Sequence, residues 1–228
     1  MCRTTTTLLA SLVLLALTLP ASATVVYYDF GDDLSAGNYN NITHTTTNIA
    51  NCVASDGALT GIALEVHDAF YPTSANPNGT TAPTGDAAIF NSQSTRDSLY
   101  GNTAPWYDTV APTGGVRLSG LNPALTYDFT VFASRTGSSD NREAQYVVTG
   151  LNSGVDYLNA SSNVSEIAFI GGIMPTAAGE ITLDVSKGPN NDNSYGFFYI
   201  GAVQMSFVPE PASLVLLVLG GMVALRRR

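Results

Sequence analysis

Charged side chains are scarce in this sequence, and basic ones are the scarcest. They make up 12% of the 228 residues, with 18 acidic against 9 basic residues and a net charge of −9. A typical globular domain has about 25% charged residues. Because 45% of the chain is hydrophobic, it has enough apolar surface for a core and is not a disordered acidic tail. The acidic excess excludes a basic nucleic-acid-binding protein, so no nucleic-acid partner is expected.

Cysteine and histidine are nearly missing, with two of each. Two cysteines cannot form a disulfide-rich scaffold, and this small set leaves little for a zinc site or a Cys–His catalytic pair. Cys52 is the only cysteine outside the N-terminal segment described next. A lone thiol in an oxidising compartment is expected to be buried as a small hydrophobic group; the alternative is an exposed thiol that pairs between molecules.

The N-terminal segment, residues 1–23, has the pattern of a secretory signal peptide. Arg3 gives a positive start, residues 8–19 are apolar, and Ala21 and Ala23 frame a small-residue cleavage pattern. The segment predicts cleavage after Ala23, which requires the Sec translocon and signal peptidase as partners. The alternative is a retained signal anchor, but the apolar run is shorter than the roughly 20 residues of a comfortable membrane span.

The C-terminal segment, residues 209–228, has three parts in order. Pro209, Glu210 and Pro211 come first, then thirteen uncharged residues at 213–225, and then Arg226, Arg227 and Arg228. The prolines and Glu210 cannot continue a helix into the bilayer, so a short transmembrane helix is predicted to begin after Pro211. The arginines are expected to stay on the cytoplasmic side of the membrane.

This tripartite tail closely resembles the PEP-CTERM sorting signal of Gram-negative bacteria, over about twenty residues. The resemblance implies that an exosortase cleaves the chain near the Pro-Glu-Pro element. It further implies transient anchoring in the inner membrane, followed by delivery to the cell surface or an extracellular matrix. The alternative is an ordinary C-terminal tail anchor.

Residues 24–208 show period-two alternation, which is typical of strands with one buried face. Ile181, Leu183 and Val185, for example, alternate with Thr182 and Asp184. Further strands are predicted at residues 25–30, 62–66, 116–119, 125–134, 145–149, 165–170 and 203–207. Polar turns separate them, a surface loop is expected over residues 69–83, and a short helix over residues 87–100. The pattern predicts an all-β fold, an antiparallel, jelly-roll-like β-sandwich between a signal peptide and a transmembrane helix.

A second resemblance spans roughly residues 110–207. Residues 118–123 and 126–135, with the later segments 139–143 and 187–191, are similar to a module of secreted bacterial proteins. The resemblance implies a galactose-binding-like β-sandwich of the kind found beside carbohydrate-active enzymes.

Five residues are candidates for glycan contact: Trp106, Tyr107, Arg135, Asn141 and Arg142. Aromatic rings on loops suit the C–H face of a sugar ring, and guanidinium and amide groups supply planar donors. In the alternative interpretation, Trp106 completes the core and the arginines pair with nearby acids such as Asp140.

Asp29, Asp32 and Asp33 are candidates for a structural calcium ion, the only cofactor expected, because calcium prefers several hard oxygen ligands. The surrounding residues 30–37 are similar to the first block of SGNH/GDSL hydrolases. However, Asp33 stands where those enzymes place their nucleophilic serine, and the two histidines, His44 and His67, lie in the first third of the chain. No catalytic triad is therefore expected.

The sequence thus predicts an exported, non-catalytic surface or matrix protein with a structural or adhesive role in exopolysaccharide. A carbohydrate-binding module is the first alternative. A secreted hydrolase is the second, and it would need paired acids such as Asp108 and Asp140.

Overall fold

Strands account for nearly all the regular structure in the computed structural model, which describes residues 23–208. They are β1 (Thr24–Phe30), β2 (Tyr39–Ile42), β3 (Asn48–Ile49), β4 (Ala63–Asp68), β5 (Leu99–Trp106), β6 (Thr109–Ala111), β7 (Thr113–Ser119), β8 (Tyr127–Phe132), β9 (Glu143–Thr149), β10 (Ser153–Asn159), β11 (Ala168–Ile173), β12 (Ile181–Lys187), β13 (Phe198–Ile200) and β14 (Ala202–Phe207). A single 3-10 turn covers Gly85–Ile89. The all-β prediction is confirmed.

Two large sheets and one small sheet organise these strands. The first has the order β11-β8-β14-β1-β2, the second β10-β9-β12-β7-β4-β3, and the small one β13-β5-β6. β1 and β2 run parallel, with Tyr28 opposite Asn40. The pairings of β8 with β11 and β14, and those within the second and the small sheet, are antiparallel. This arrangement agrees with the predicted antiparallel β-sandwich, and the narrower jelly-roll topology stays a prediction.

One continuous hydrophobic core joins the two large sheets. Tyr28 and Phe129 from the first sheet belong to the same buried cluster as Leu64 and Leu183 from the second. The predicted alternation holds in β12, where the odd-numbered apolar residues are 1–2% exposed and the polar residues between them are half-buried. Burying one such side chain stabilises the fold by roughly 1.5–3 kcal/mol, so a one-residue register slip would be costly. Cys52 is fully buried, as predicted.

The short helix predicted over residues 87–100 is wrong. Only the 3-10 turn forms there, and the last two residues of that range already belong to β5. The Asn91 side-chain oxygen accepts the backbone N–H groups of Gln93 (3.0 Å) and Ser94 (2.8 Å), and this local turn competes with helix propagation.

The Pro-Thr-Gly-Gly sequence at residues 112–115 predicts one of the polar turns, and this prediction is wrong in part because β7 begins at Thr113. Its glycines have a packing role. A Cβ atom on Gly114 would overlap the ring of Phe70, so only glycine lets the strand pass under that side chain.

Among residues 23–208, none of the helical structure is long and apolar enough to cross a membrane. The signal-peptide residues 1–22, the Pro-Glu-Pro element, the apolar run and the terminal arginines lie outside the described residues.

Candidate functional site

A pocket of about 360 Å³ opens where several loops meet β5 and β13. It is lined by Ser74, Ala75, Asn76, Pro77, Tyr100, Trp106, Arg135, Arg142, Asn193, Ser194, Tyr195, Phe197 and Tyr199. These residues come from the loop before the 3-10 turn, the two ends of the β8–β9 loop and the long β12–β13 loop. Pockets for small ligands measure about 300–1,000 Å³, so this one is large enough for a small ligand.

Aromatic rings form one wall of the pocket. The Trp106 ring centroid lies 4.9 Å from that of Tyr195 and 5.5 Å from that of Phe197, both edge to face. Tyr100 extends the wall by contacting Phe197 at 5.7 Å. Trp106 is half-buried and Tyr195 is 38% exposed, so the wall presents apolar surface to a ligand while its base rests on the core.

Trp106 is held in place by the β5–β6 hairpin. The turn residues Tyr107 and Asp108 have φ angles of 45° and 59°, as in the tight turns of β-hairpins with a two-residue loop. Below the turn, the Asn102 side chain donates to the Thr109 carbonyl at 2.8 Å, and its oxygen accepts the Ala111 N–H at 3.0 Å. These bonds fix the strand end that carries the indole.

Arg142 forms the best-connected polar group of the pocket. Its Nε donates to the Asp140 carboxylate at 3.0 Å, its Nη1 donates to the Tyr199 hydroxyl at 2.7 Å, and its guanidinium lies 5.6 Å above the Phe197 ring. Burial raises the pKa of the Tyr199 hydroxyl, and the charges of Arg142 and Arg135 oppose that rise. Partial burial alone would raise the pKa of Asp140, but hydrogen bonds from Asn193 and Arg142 outweigh it and lower that pKa.

Arg135 lies at the start of the β8–β9 loop with a well-anchored backbone. Its N–H donates to the Ala160 carbonyl at 2.7 Å, and its carbonyl accepts the Ser162 N–H at 2.9 Å. Its guanidinium donates from Nη1 to the Thr136 carbonyl at 2.6 Å, and it also lies close enough to the Tyr199 hydroxyl to lower the pKa of that group. None of the carboxylates in residues 23–208 lies within ion-pair distance of it.

The structure brings together three of the five predicted glycan-contact residues: Trp106, Arg135 and Arg142. Tyr107 lies on the hairpin turn, 82% exposed, with its ring against Trp106. Asn141 lies outside the lining, because its side-chain oxygen caps the N–H of Glu143 at 2.9 Å. The alternative interpretation also holds in part, since Trp106 packs on the core and Arg142 pairs with Asp140.

Sequence reasoning missed the aromatic residues Tyr195, Phe197 and Tyr199. Their signal was a run of aromatic side chains directly after the polar turn at residues 187–193. Residues at alternating positions of an extended segment point to the same side, so Tyr195, Phe197 and Tyr199 can together contribute to the aromatic wall of the pocket.

The three aspartates predicted to bind calcium do not form one ligand set. Asp32 binds the Nδ1 of His44 at 2.8 Å, and Asp33 pairs with Arg96 at 2.8 Å. Asp29 is buried, and its Oδ2 accepts the Ser35 N–H at 2.9 Å. Within residues 23–208 no group of three or more acidic, histidine or cysteine side chains is placed to hold a metal ion. Each carboxylate has a partner of its own instead: His44 for Asp32, Arg96 for Asp33 and the Ser35 N–H for Asp29.

A second buried acid, Asp97, lies close enough to Asp29 for the two charges to interact. One oxygen of each carboxylate accepts no hydrogen bond from the described residues. Burial raises the pKa of Asp29 to about 7, with the Ser35 hydrogen bond opposing the rise and the charge of Asp97 adding to it. Burial likewise raises the pKa of Asp97 to about 6, against the hydrogen bond from the Asp33 N–H.

Comparison with known proteins gives no family for this chain. No family model and no curated protein matches it. Among solved structures, the extracellular domain of ANXUR1 from Arabidopsis thaliana matches 83% of this chain, with a TM-score of 0.48 and 8% identity. The chain spans about half of that structure, 49%. TmCBM61, solved in complex with beta-1,4-galactotriose, matches 48% of this chain and 70% of its own length, with 13% identity and a TM-score of 0.28.

Proposed function

We propose that this chain is an exported, non-catalytic β-sandwich protein that binds a glycan in the pocket beside Trp106. The observation that carries the proposal is the combination of an aromatic wall with guanidinium, amide and hydroxyl groups around one cavity of about 360 Å³. Sugars offer apolar C–H faces and many hydroxyl groups, and this pocket supplies a partner for each. Its role would be structural or adhesive within an exopolysaccharide.

The lining chemistry favours binding over glycoside hydrolysis. Hydrolysis typically requires two carboxyl groups that flank the scissile bond, one of them with a raised pKa. The described lining contains no acidic residue. Asp140 is occupied by Arg142 and has a lowered pKa, and Asp108 is exposed on the hairpin turn, so neither acid has the environment of a general acid.

The proposal that the protein is exported and sorted to the cell surface rests on its two terminal segments. The signal-peptide pattern and the PEP-CTERM tail support export through the Sec translocon, exosortase processing and display at the cell surface or in the matrix. The dominant polar groups of residues 24–208 are neutral or acidic, with five basic against seventeen acidic residues, so the domain itself is expected to avoid anionic membranes.

A glycan array tests the binding proposal. The parent is expected to bind a defined set of saccharides, and Trp106→Ala should reduce that binding at least ten-fold, because the indole supplies the largest apolar contact. Tyr157→Ala is the matched control, since Tyr157 is also partly exposed but lies on β10, outside the lining. Equal binding by parent and Trp106→Ala would contradict the proposed site.

The sorting proposal is tested in the native host by replacing Pro209, Glu210 and Pro211 with alanine. We expect the variant to accumulate uncut in the inner membrane, while the parent appears as a shorter species at the surface. Intact Arg228 on the mature surface protein, detected by mass spectrometry, would contradict it.

A further inference from the structure

The charge in the pocket is opposite to the charge of the chain around it. Residues 24–208 contain five arginine and lysine residues against seventeen acids. Two of those five cations line the pocket: Arg142 is paired with Asp140, which lies outside the lining, and Arg135 has no ion-pair partner among residues 23–208. A cavity with one unneutralised arginine in an otherwise acidic protein is suited to a negatively charged group.

The two arginines differ in what they have left to offer a ligand. Arg142 is committed to Asp140, to the Tyr199 hydroxyl and to the Phe197 ring. Arg135 donates one N–H to the Thr136 carbonyl and lies beside the Tyr199 hydroxyl, and no carboxylate among residues 23–208 neutralises it. Its remaining donors form a planar fork, which matches the two oxygens of a carboxylate.

We propose that the pocket recognises a carboxylate-bearing sugar, a uronic acid residue of an acidic polysaccharide. The inference rests on the proposed function and adds the class of sugar. The carboxylate would bind the Arg135 guanidinium while the ring packs on Trp106. A neutral sugar would leave the Arg135 charge partly desolvated without a counter-ion, so it binds less tightly. The acidic remainder of the domain repels an anionic polymer, which confines recognition to the pocket.

The sequence supplies a direct probe, because Trp106 is its single tryptophan. Tryptophan fluorescence of the full chain in mild detergent therefore reports on the pocket. The ligands are the trisaccharides of galacturonate, glucuronate and mannuronate, each titrated against its own methyl ester, which keeps the ring and removes the charge. At least one acid should bind roughly ten-fold or more tightly than its ester, since hydrogen bonds between a guanidinium and a carboxylate are about twice as strong as those between neutral groups.

Substitution at Arg135 tests the assigned residue. Arg135→Gln should abolish the preference for the acid over the ester, whereas Arg135→Lys should retain part of it. Arg117→Gln removes the same charge from β7, outside the lining, and should leave the preference unchanged. Thermal melts of all variants verify that they fold, and the acid–ester comparison on the parent does not depend on them.

The outcomes separate the two proposals. Equal affinity for acids and esters, or a preference that survives Arg135→Gln, would overturn the uronic-acid inference and leave glycan binding standing. Binding of only neutral sugars on the glycan array would likewise overturn the uronic-acid inference while supporting glycan binding. If no saccharide binds in either experiment, both proposals fail.

Discussion

Asparagine in place of Asp29 removes a buried charge from β1 while keeping a side-chain oxygen for the Ser35 N–H. The parent carboxylate is fully buried, and its Oδ1 accepts no hydrogen bond from the described residues. Asp97, which raises the Asp29 pKa further, is 3% exposed. Ionising either group therefore costs free energy that only the folded state bears.

The raised pKa of Asp29 fixes the sign and size of the effect. Below its ordinary pKa of 3.8, folded and unfolded chains both carry the proton, and the full stability is present. As the pH rises towards about 7, the folded state still holds a proton that the unfolded state has released, so stability is lost. At about 1.4 kcal/mol per pH unit, Asp29 alone lowers the free energy of unfolding by about 3 kcal/mol between pH 5 and pH 8. Asp97, with its pKa of about 6, contributes about 1 kcal/mol in the same sense over that range.

Asp29→Asn should therefore match the parent only below pH 3.8, where Asp29 is neutral in both the folded and the unfolded chain, and its advantage in the free energy of unfolding should grow by about 3 kcal/mol between pH 5 and pH 8. Urea unfolding followed by far-UV circular dichroism, in a buffer with chelator, measures both values. Asp56→Asn, at an exposed position, is the control and should follow the parent at each pH. A parent whose stability is flat from pH 5 to pH 8, or a variant with the parent's slope, would refute the reasoning.

Two further substitutions test the core. Tyr146→Phe should lower the free energy of unfolding by about 1–2 kcal/mol, because the buried Tyr146 hydroxyl donates to the Tyr199 carbonyl at 2.7 Å and the carbonyl would lose that partner. Chemical denaturation measures the loss, and no loss would contradict the role of this bond. Cys52→Ser should destabilise by no more than about 1–2 kcal/mol, and the parent thiol, whose pKa burial raises to about 11, should resist alkylation until the chain unfolds. Rapid alkylation of the native chain would contradict its burial.

The strands that the sequence predicts well are those with one buried face. β12 alternates between buried and half-buried residues along residues 181–186, and β14 does so over residues 203–206, because one side meets the core and the other meets polar surroundings. The sequence does not predict β5, because this strand contains Gly101 and Pro105, and glycine and proline are rare in strands. Pairing with β13 overrides this local preference, and Gly101 leaves the space that the Phe198 ring occupies.

The sequence predicts which residue types form the site, but not how the chain brings them together. Trp106, Arg135 and Arg142 are candidates because aromatic and guanidinium groups suit glycans, and the structure places all three in one pocket. The segment 193–199 that completes the wall, from the end of the β12–β13 loop into β13, is distant in sequence, and no local pattern indicates which strands bring it there. The same limit applies to Asp29 and Asp97, whose proximity depends entirely on tertiary structure.

The scarcity of charge in this chain has a structural counterpart in the loops around the pocket, where asparagine side chains hold the backbone in place. Asn193 accepts the N–H groups of Tyr195 at 3.0 Å and Phe197 at 3.2 Å, and it donates to Asp140. Asn191 donates to the Phe197 carbonyl at 2.7 Å and to the Glu143 carbonyl at 2.9 Å. One amide both donates and accepts, so it can tie a loop to two neighbours without adding charge. The aromatic wall is thereby fixed before a ligand arrives, which lowers the ordering cost of binding.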